Sequence, residues 1–489
     1  MRYVLAIDEG TTGTTCLVVS NDGRIVGRGY REITQHFPKP GWVEHDANEI
    51  FDRTIDAARD AIEQSGVTPE AIGITNQRET VVVWDRQTSE PVGRAIVWQD
   101  RRTAERCREL ADSSARITEL TGLPLDPYFS ATKLEYILRD PELRKRADAG
   151  ELAAGTIDTW LIWRLTGGEV HATDPTNASR TMLFDIDARE WSDELCAIFG
   201  IPKAMLPEVR QSSGDFGVAH HDGLPGGMPI LGVAGDQQAA LYGQGCWSAG
   251  EAKNTYGTGA FLLLNTGAKR PHAGEGLLTT VACDASGGYA YALEGSIFIA
   301  GAAVQWLRDG LRIIDNAAET EALARSLDSN DGVYFVPALV GLGAPHWEPE
   351  ARGTITGLTR GTTRAHLARA ALEAMVYGTA DVFDAMGTAS GVPFARLRVD
   401  GGAAVNDWMM QFQSDIIRRD VERPEMVEST AFGAAGLAGI AAGVWKDANE
   451  FLSVKSYKKF SPTMSRADAA DLRAGWQRAI DTTLFWAQR

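Results

Sequence analysis

The chain has 489 residues, of which 44% are apolar and 23% are charged. This length and composition fit two large globular domains and exclude a disordered protein. Acidic residues outnumber basic ones by 65 to 48, and this excess of negative charge argues against non-specific binding to nucleic acid.

The first hundred residues predict a run of strands interrupted by one helix. Alternating and continuous apolar runs indicate strands, and apolar residues at helical spacing indicate the helix. The predicted strands are Val4 to Asp8, Thr14 to Ser20, Arg24 to Ile33, Ala71 to Thr75, Thr80 to Asp85 and Ala95 to Gln99, with the helix at Glu49 to Gln64.

A similar order of elements returns past the middle of the chain, around the turn Gly257-Thr258-Gly259. The predicted elements are strands at Glu251 to Tyr256, Ala260 to Asn265 and Gly288 to Glu294, then helices at Gly301 to Leu311, Ala365 to Met386, Trp408 to Arg418 and Ala431 to Val444. We therefore predict a diverged structural repeat, with an N-terminal lobe at residues 1–246 and a C-terminal lobe at residues 247–489. Small ligands usually bind in the cleft between two such lobes.

The stretch DEGTTGTT, from Asp8 to Thr15, joins the first two predicted strands. A turn rich in glycine and threonine can direct several N–H groups and hydroxyls at a phosphate. An adjacent carboxylate, Asp8, would hold Mg²⁺ directly or through water, because Mg²⁺ prefers oxygen ligands. The chain contains no Gly-Lys dipeptide and no H-R-D motif, so it has neither a P-loop nor the protein-kinase catalytic loop.

Two further pairs of polar residues follow predicted strands. Arg78 and Glu79 are neighbours on an extended segment, so their side chains should point to opposite sides rather than pair with each other. Asp236 and Gln237 come after a short apolar strand and before a helix. An acid at the carboxyl end of a strand is well placed for chemistry.

The cysteines give a prediction about the cellular compartment. There are 5, widely spaced and without a CxxC pair, so neither a disulfide framework nor a zinc site is indicated. The N-terminus has no basic region followed by an apolar core, and the run from Ala431 to Trp445 is too short to span a bilayer. We predict a cytoplasmic protein without stable membrane insertion.

Several segments together resemble one protein family. They include IGITNQRET, IVWQDRRTA, DPYFSATK, TNASRTMLF, AGDQQAAL, NTYGTGAF and VDGGAAVND. The chain resembles the sugar-kinase family that contains glycerol, pentulose and gluconate kinases. The resemblance implies two ribonuclease-H-like, actin-type α/β lobes, with ATP, Mg²⁺ and glycerol bound between them, and transfer of the γ-phosphoryl group of ATP to glycerol. It also implies a homo-oligomer, either a dimer or a tetramer.

The resemblance also implies the role of individual residues. Asp236 would accept the proton of the attacking hydroxyl, and Asp8 would organise the metal ion. The implied polyol-binding residues are Arg78, Glu79, Trp98, Tyr128, Asp236, Gln237 and Phe261, of which Trp98 and Phe261 form apolar walls. The implied nucleotide-binding residues are Thr11, Thr12, Gly13, Gly257, Thr258, Gly301, Gln305, Gly402 and Asn406.

The first hairpin departs from the family pattern D-Q-G-T-T-S-S-R. This chain has Glu9 in place of the glutamine and Thr15 in place of the arginine, and both changes make the site less positive. Two other functions stay open: a kinase for another small polyol or a ketose, and an ATPase of the actin or chaperone type. The Arg78–Glu79 pair together with Trp98 favours a three-carbon polyol.

Overall fold

Two large mixed β-sheets, one from each half of the chain, form the framework of the structure. The computed structural model describes residues 1–274, 276–425 and 428–488. The strands of the first half are β1 Tyr3–Glu9, β2 Gly13–Ser20, β3 Ile25–Glu32, β4 Glu44–His45, β5 Ala71–Asn76, β6 Val81–Asp85, β7 Ala95–Ile96, β8 Leu152–Thr156, β9 Ala172–Thr173, β10 Phe184–Asp185, β11 Glu190–Trp191, β12 Glu208–Val209, β13 Val218–Ala219 and β14 Met228–Gly235. Those of the second half are β15 Glu251–Tyr256, β16 Ala260–Gly267, β17 Leu278–Cys283, β18 Tyr289–Ile297, β19 Tyr334–Val336, β20 Thr354–Thr356, β21 Arg396–Asp400, β22 Val421–Pro424 and β23 Tyr457–Phe460.

Helices cover both sheets and fill the connections between strands. The α-helices are α1 Ala47–Ser65, α2 Ala104–Glu109, α3 Ser114–Thr121, α4 Ala131–Ile137, α5 Pro141–Asp148, α6 Ile157–Leu165, α7 Pro175–Ala178, α8 Asp193–Ile198, α9 Asp236–Gly243, α10 Gly301–Gln305, α11 Glu319–Arg325, α12 Arg364–Ser390, α13 Asp407–Ile417, α14 Ser429–Ala441, α15 Ala448–Ser453 and α16 Arg466–Ala487. Short 3₁₀ turns occur at Ala111–Ser113, Lys203–Met205 and Gly402–Val405, and a π-helical turn occupies Trp306–Gly310.

The two sheets repeat one strand order. The first runs β13-β14-β5-β1-β2-β3. Written in the same direction, the second runs β23-β22-β21-β15-β16-β18-β17, so its first six strands match those of the first sheet in order. In the first, β1 pairs antiparallel with β2 and parallel with β5. In the second, β15 pairs antiparallel with β16 and parallel with β21. The predicted structural repeat is therefore confirmed, and the two glycine- and threonine-rich turns occupy equivalent places in it.

Helix α14 comes from the second half of the chain but packs on the first sheet. Although it lies between β22 and β23 of the second sheet in sequence, it packs on β1, β5, β14 and α9 through a buried apolar cluster. Its approach to α9 is close, because a Cβ added to Gly433 would lie 1.8 Å from the carbonyl oxygen of Ala239. This packing brings Glu428, just before α14, to the edge of the first sheet. The boundary between residues 246 and 247 stays a prediction.

Two predicted elements are shorter than expected, and several helices, α16 among them, were not predicted. The strand expected at Ala95 to Gln99 ends at Ile96, because the chain turns and the Asp100 N–H donates to the Val97 carbonyl at 2.9 Å. The helix expected at Gly301 to Leu311 changes to the π-helical turn after Gln305. Sequence patterns did not indicate α16. Within the described residues, no helix is long and apolar enough to cross a membrane.

Candidate active site

Asp8 lies at the carboxyl end of β1, directly before the turn of the first hairpin. Its partly buried side chain makes no hydrogen bond or ion pair with any described residue. Burial raises the pKa of Asp8 to about 8, and the negative charges of Asp236 and Glu428 add to this increase. A carboxyl that is destabilised by burial and by like charges gains a compensating partner when a divalent cation binds. The site therefore fits the predicted metal ion.

The hairpin turn presents its backbone and one threonine to the cleft. Thr12 is exposed and Thr11 partly so, whereas Gly13 is buried against β3. A Cβ on Gly13 would lie 2.5 Å from the carbonyl oxygen of Arg31, so this position admits only glycine without a shift of the backbone. A tight turn of this kind leaves N–H groups available to an anion.

Glu9 does not face the cleft with Asp8. It is fully buried, and its Oε2 accepts a hydrogen bond from Nε2 of Gln77 at 3.1 Å. Burial raises the pKa of Glu9 well above its usual value, against the opposing effect of the Gln77 hydrogen bond. Glu9 therefore lies inside the fold, where burial disfavours its charged form, and not beside Asp8 at the surface of the hairpin.

Thr15, the other departure, pairs with Asp8 across the β1–β2 ladder. A cation nearby comes from β3 instead: a terminal guanidinium nitrogen of Arg28 lies 3.1 Å from a carboxylate oxygen of Glu428. One carboxylate near Asp8 is thus partly neutralised without an arginine at position 15.

Trp98 and Tyr128 form an aromatic wall beside the first hairpin. Their rings meet edge to face, with centroids 5.5 Å apart. The indole Nε1–H of Trp98 donates to Oγ1 of Thr11 at 2.9 Å. A side chain predicted to contact the polyol therefore also holds the turn predicted to contact the phosphates.

Arg78 and Glu79 are bound by other charged groups rather than by each other. The Arg78 guanidinium donates to Glu294 at 2.6 and 3.1 Å, and Arg180 donates to Glu79 at 2.5 Å. Arg180 also reaches Glu294 at 3.1 Å, whereas Arg78 and Glu79 are 3.9 Å apart. We refer to these four residues, Arg78, Glu79, Arg180 and Glu294, as the buried charge network.

The buried charge network is almost sealed from solvent. Its side chains are between 0% and 3% exposed. Burial alone would raise the pKa of Glu294, but Arg180 and Arg78 outweigh it and lower the pKa to about 2. The side chains of Arg78 and Glu79 expose too little surface to show that they contact the polyol directly, so this contact stays a prediction. The visible role of the network is to join the segments after β5 and α7 to β18 of the second sheet.

Sequence reasoning did not identify Arg180 or Glu294 as site residues. Arg180 lies within the family segment TNASRTMLF, and Glu294 is the single acidic residue of the strand YAYALEGSI. A charged residue inside an otherwise apolar strand is the signal that could have identified Glu294, since buried charges need partners.

Asp236 is the first residue of α9 and lies against the network. Its Oδ1 accepts the backbone N–H of Gln237 at 2.7 Å and lies 3.2 Å from Nε of Arg78. One third of the side chain, 33%, stays exposed. Because both contacts use Oδ1, the second carboxylate oxygen remains available to a substrate hydroxyl.

A cavity of about 660 Å³ lies on the side of the second hairpin. It is large enough for a nucleoside, and three glycines are among its lining residues. Its lining includes six of the residues predicted to bind nucleotide: Gly257, Thr258, Gly301, Gln305, Gly402 and Asn406. Phe261, on β16, packs at the edge of a small apolar cluster with Leu241 and Leu263.

Substitution of Gly301 tests this cavity. A Cβ at this position would lie 2.6 Å from the carbonyl oxygen of Gly257, so Gly301→Ala should push the second hairpin away from α10. Overpacking of this kind costs about 1–3 kcal/mol, and we expect KM for ATP to increase about tenfold or more. Steady-state kinetics with the acceptor at saturation measure this change.

Gly93→Ala is the matched control, because a Cβ on Gly93 has no atom within 4 Å. It should leave KM for ATP unchanged. If Gly301→Ala has the same KM for ATP as Gly93→Ala, then Gly301 does not border the nucleotide.

Comparison with known proteins identifies relatives along the whole chain. Models of the FGGY family of carbohydrate kinases match it, the N-terminal domain at residues 3–243 and the C-terminal domain at residues 252–442. Glycerol kinase 2 of Thermotoga maritima is 53% identical, with 100% of both chains covered. The glycerol kinase of Deinococcus radiodurans is 52% identical, with 99% of this chain and 98% of that one covered.

Solved structures give the same result. Glycerol kinase of Plasmodium falciparum with ADP superimposes with a TM-score of 0.94 at 37% identity, over 99% of this chain and 98% of that one. Xylulose kinase of Lactobacillus acidophilus superimposes with a TM-score of 0.89 at 21% identity, over 100% and 99% of the two chains. The second likeness shows the fold alone.

Proposed function

The chain belongs to the FGGY family of carbohydrate kinases, and from this premise we propose that it transfers the γ-phosphoryl group of ATP to glycerol, giving sn-glycerol 3-phosphate and ADP. Membership of the family confirms the predicted resemblance and the two-lobed α/β fold. The observation that carries the substrate assignment is the full-length likeness to glycerol kinases.

The arrangement around Asp236 supports the proposed chemistry. A terminal hydroxyl of glycerol would donate to the free oxygen of Asp236. Asp236 would take the proton as the hydroxyl oxygen of glycerol attacks the γ-phosphorus. Gln237 N–H and Arg78 hold the other carboxylate oxygen, so the orientation of the base is fixed before substrate binds. Positioning of this kind supplies a large part of the acceleration in phosphoryl transfer.

The cavity beside the second hairpin would take the adenosine, and the two hairpins would hold the phosphates. Mg²⁺ held by Asp8, directly or through water, would neutralise charge on the transferred phosphoryl group. Trp98, fixed to Thr11, would offer an apolar face to the carbon chain of glycerol.

We also propose a cytoplasmic location and a homo-oligomeric state, either a dimer or a tetramer. The five cysteines, all buried with free thiols, are compatible with a reducing compartment. The oligomeric state has only the family resemblance behind it, and light scattering of the purified protein would decide it.

A coupled assay with ATP and Mg²⁺ tests the substrate. Glycerol, dihydroxyacetone, erythritol and xylulose are compared as acceptors through ADP release. We expect glycerol to give the highest kcat/KM. A higher value for any other acceptor would replace the assignment with a kinase for that polyol or ketose.

A further inference from the structure

Lys253 is a buried lysine that the proposed chemistry does not use. It lies in the middle of β15, the strand that leads into the second hairpin, and its side chain is inaccessible to solvent. Its Nζ donates to Oε1 of Gln237 and to Oγ1 of Thr255, the latter at 2.9 Å. The first of these contacts joins β15 to the start of α9.

The charges around Lys253 explain why a lysine is tolerated at this position. Burial lowers its pKa to about 8, while the carboxylates of Asp400, Asp236 and Glu294 favour the charged form and Arg78 disfavours it. An ammonium group that lacked these partners would be costly to bury. The lowered pKa shows that these carboxylates offset the burial of Lys253 only in part, so we ask what its contact with Gln237 does.

That contact determines how Gln237 is oriented. An ammonium group can only donate hydrogen bonds, so the atom of Gln237 that faces Lys253 must be the carbonyl oxygen of the carboxamide. The carboxamide nitrogen is then left on the other side. Because Gln237 is partly exposed and follows Asp236 at the start of α9, this nitrogen is available to the cleft.

We propose that Lys253 is a positioning residue for the acceptor: it fixes the Gln237 carboxamide so that Gln237 donates a hydrogen bond to one hydroxyl oxygen while Asp236 accepts from the hydroxyl that attacks. This inference rests on the proposed function, since it takes the acceptor to be a small polyol. A donor and an acceptor on neighbouring residues match two hydroxyls on adjacent carbons, and a simple alcohol would satisfy only one of them.

Gln237→Glu tests the direction of the hydrogen bond. The carboxylate keeps an oxygen for Lys253, and it gains an ion pair with it, but it cannot donate to the acceptor. We expect the thermal midpoint to stay the same or increase. KM for glycerol should increase about tenfold or more, because one hydrogen bond to the acceptor is lost. An unchanged KM for glycerol would overturn the proposal.

Lys253→Met tests whether the lysine acts through Gln237. Methionine fills much of the same volume but cannot donate, so the carboxamide is free to rotate. We expect KM for glycerol to increase about tenfold, with KM for ATP unchanged. The double variant Lys253→Met/Gln237→Leu should be no worse than Gln237→Leu alone, because both changes remove the same hydrogen bond to the acceptor. Additive effects would overturn the proposal.

Lys455→Met is the matched control. Lys455 is another buried lysine with a pKa lowered to about 7, mainly by burial, but it donates to the Gly243 carbonyl and lies over the ring of Phe432. Its replacement should change stability without changing KM for glycerol. An equal increase of KM in this variant would show a general effect of losing a buried lysine and would overturn the proposal.

The proposal and the proposed function can fail separately. If wild type prefers another polyol, the same variants are measured with that polyol. The role of Lys253 stands if the KM of the variants for that polyol increases. Calorimetric titration with the acceptor, without ATP, measures the loss of affinity independently of turnover. If glycerol is the best acceptor and neither Gln237→Glu nor Lys253→Met weakens its binding, the role of Lys253 is overturned while the function stands.

Discussion

Asp236→Asn should reduce kcat for glycerol phosphorylation by about a hundredfold to ten-thousandfold, the range typical for loss of a general base. Nucleotide affinity should stay close to that of wild type. We expect turnover to fall without a loss of nucleotide affinity because Asp236 is the first residue of α9, whereas the cavity proposed for the nucleotide is lined by residues of the second half of the chain.

The structure makes this substitution a clean test. Asparagine keeps an Oδ1 atom that can accept the Gln237 N–H, a hydrogen bond of 2.7 Å in the wild type. The start of α9 should therefore fold as before. What is lost is the negative charge and the basicity of the free oxygen, which are the properties that a proton acceptor needs.

The measurement combines steady-state kinetics with titration of ADP into the variant. Asp193→Asn, at a side chain that is 86% exposed, is the matched control and should behave as wild type. A variant that retains a tenth or more of the wild-type kcat would remove Asp236 from the role of base. Loss of ADP binding together with turnover would instead indicate a structural role.

Much of the fold could be predicted from local patterns. The strand–turn–strand openings of both halves have strong apolar runs and glycine-rich turns, and β1, β2, β15 and β16 lie within a few residues of their predicted bounds. Periodicity also located α1 and most of α12. Such elements are determined by residues close in sequence, so a pattern in a short window is sufficient to find them.

The elements that were missed lack such a pattern. The π-helical turn after Gln305 depends on a hydrogen bond from the Leu311 N–H to the Trp306 carbonyl, five residues back, which ordinary helical spacing does not indicate. Helix α16 has a face interrupted by charged residues, and it is fixed by contacts such as that of Trp476 with Asp381 at 2.7 Å. Tertiary contacts of this kind override local propensity.

The site shows the same division between local and distant contacts. Asp8, Thr11, Asp236 and Gly257 could be proposed as site residues from the sequence because each lies beside a turn or helix start that a motif identifies. The buried charge network was not found, because its members are separated by 101 and 216 residues in the pairs Arg180–Glu79 and Arg78–Glu294. Only the folded chain shows which charge neutralises which.

Glu294→Ala should be strongly destabilising. It leaves the guanidinium groups of Arg78 and Arg180 buried without the carboxylate that bridges them. Removing one partner of a buried ion pair typically costs about 3–5 kcal/mol. We expect a loss of this size in the free energy of unfolding from urea denaturation at neutral pH. KM for glycerol should also increase, because Arg78 no longer holds Asp236 in place.

Glu294→Gln adds a test through pH. Because Arg180 and Arg78 lower the pKa of Glu294 to about 2 despite its burial, its contribution to stability is fully present above the usual glutamate pKa of about 4.3. That contribution is lost as the pH falls from about 5 towards 2. The stability difference between wild type and Glu294→Gln should therefore be largest at neutral pH and become smaller over this acidic range.

Glu194→Gln is the matched control for both measurements. Glu194 also pairs with an arginine, Arg116 at 2.8 Å, but the two side chains are 47% and 44% exposed. An exposed pair of this kind contributes about 0–1 kcal/mol, so its loss should change stability little at any pH. If Glu294→Ala lowers the free energy of unfolding no more than Glu194→Gln does, the buried charge network stabilises the fold no more than an exposed ion pair does. A difference between wild type and Glu294→Gln that is independent of pH would mean that folding does not change the pKa of Glu294, which would contradict the effect of the two arginines.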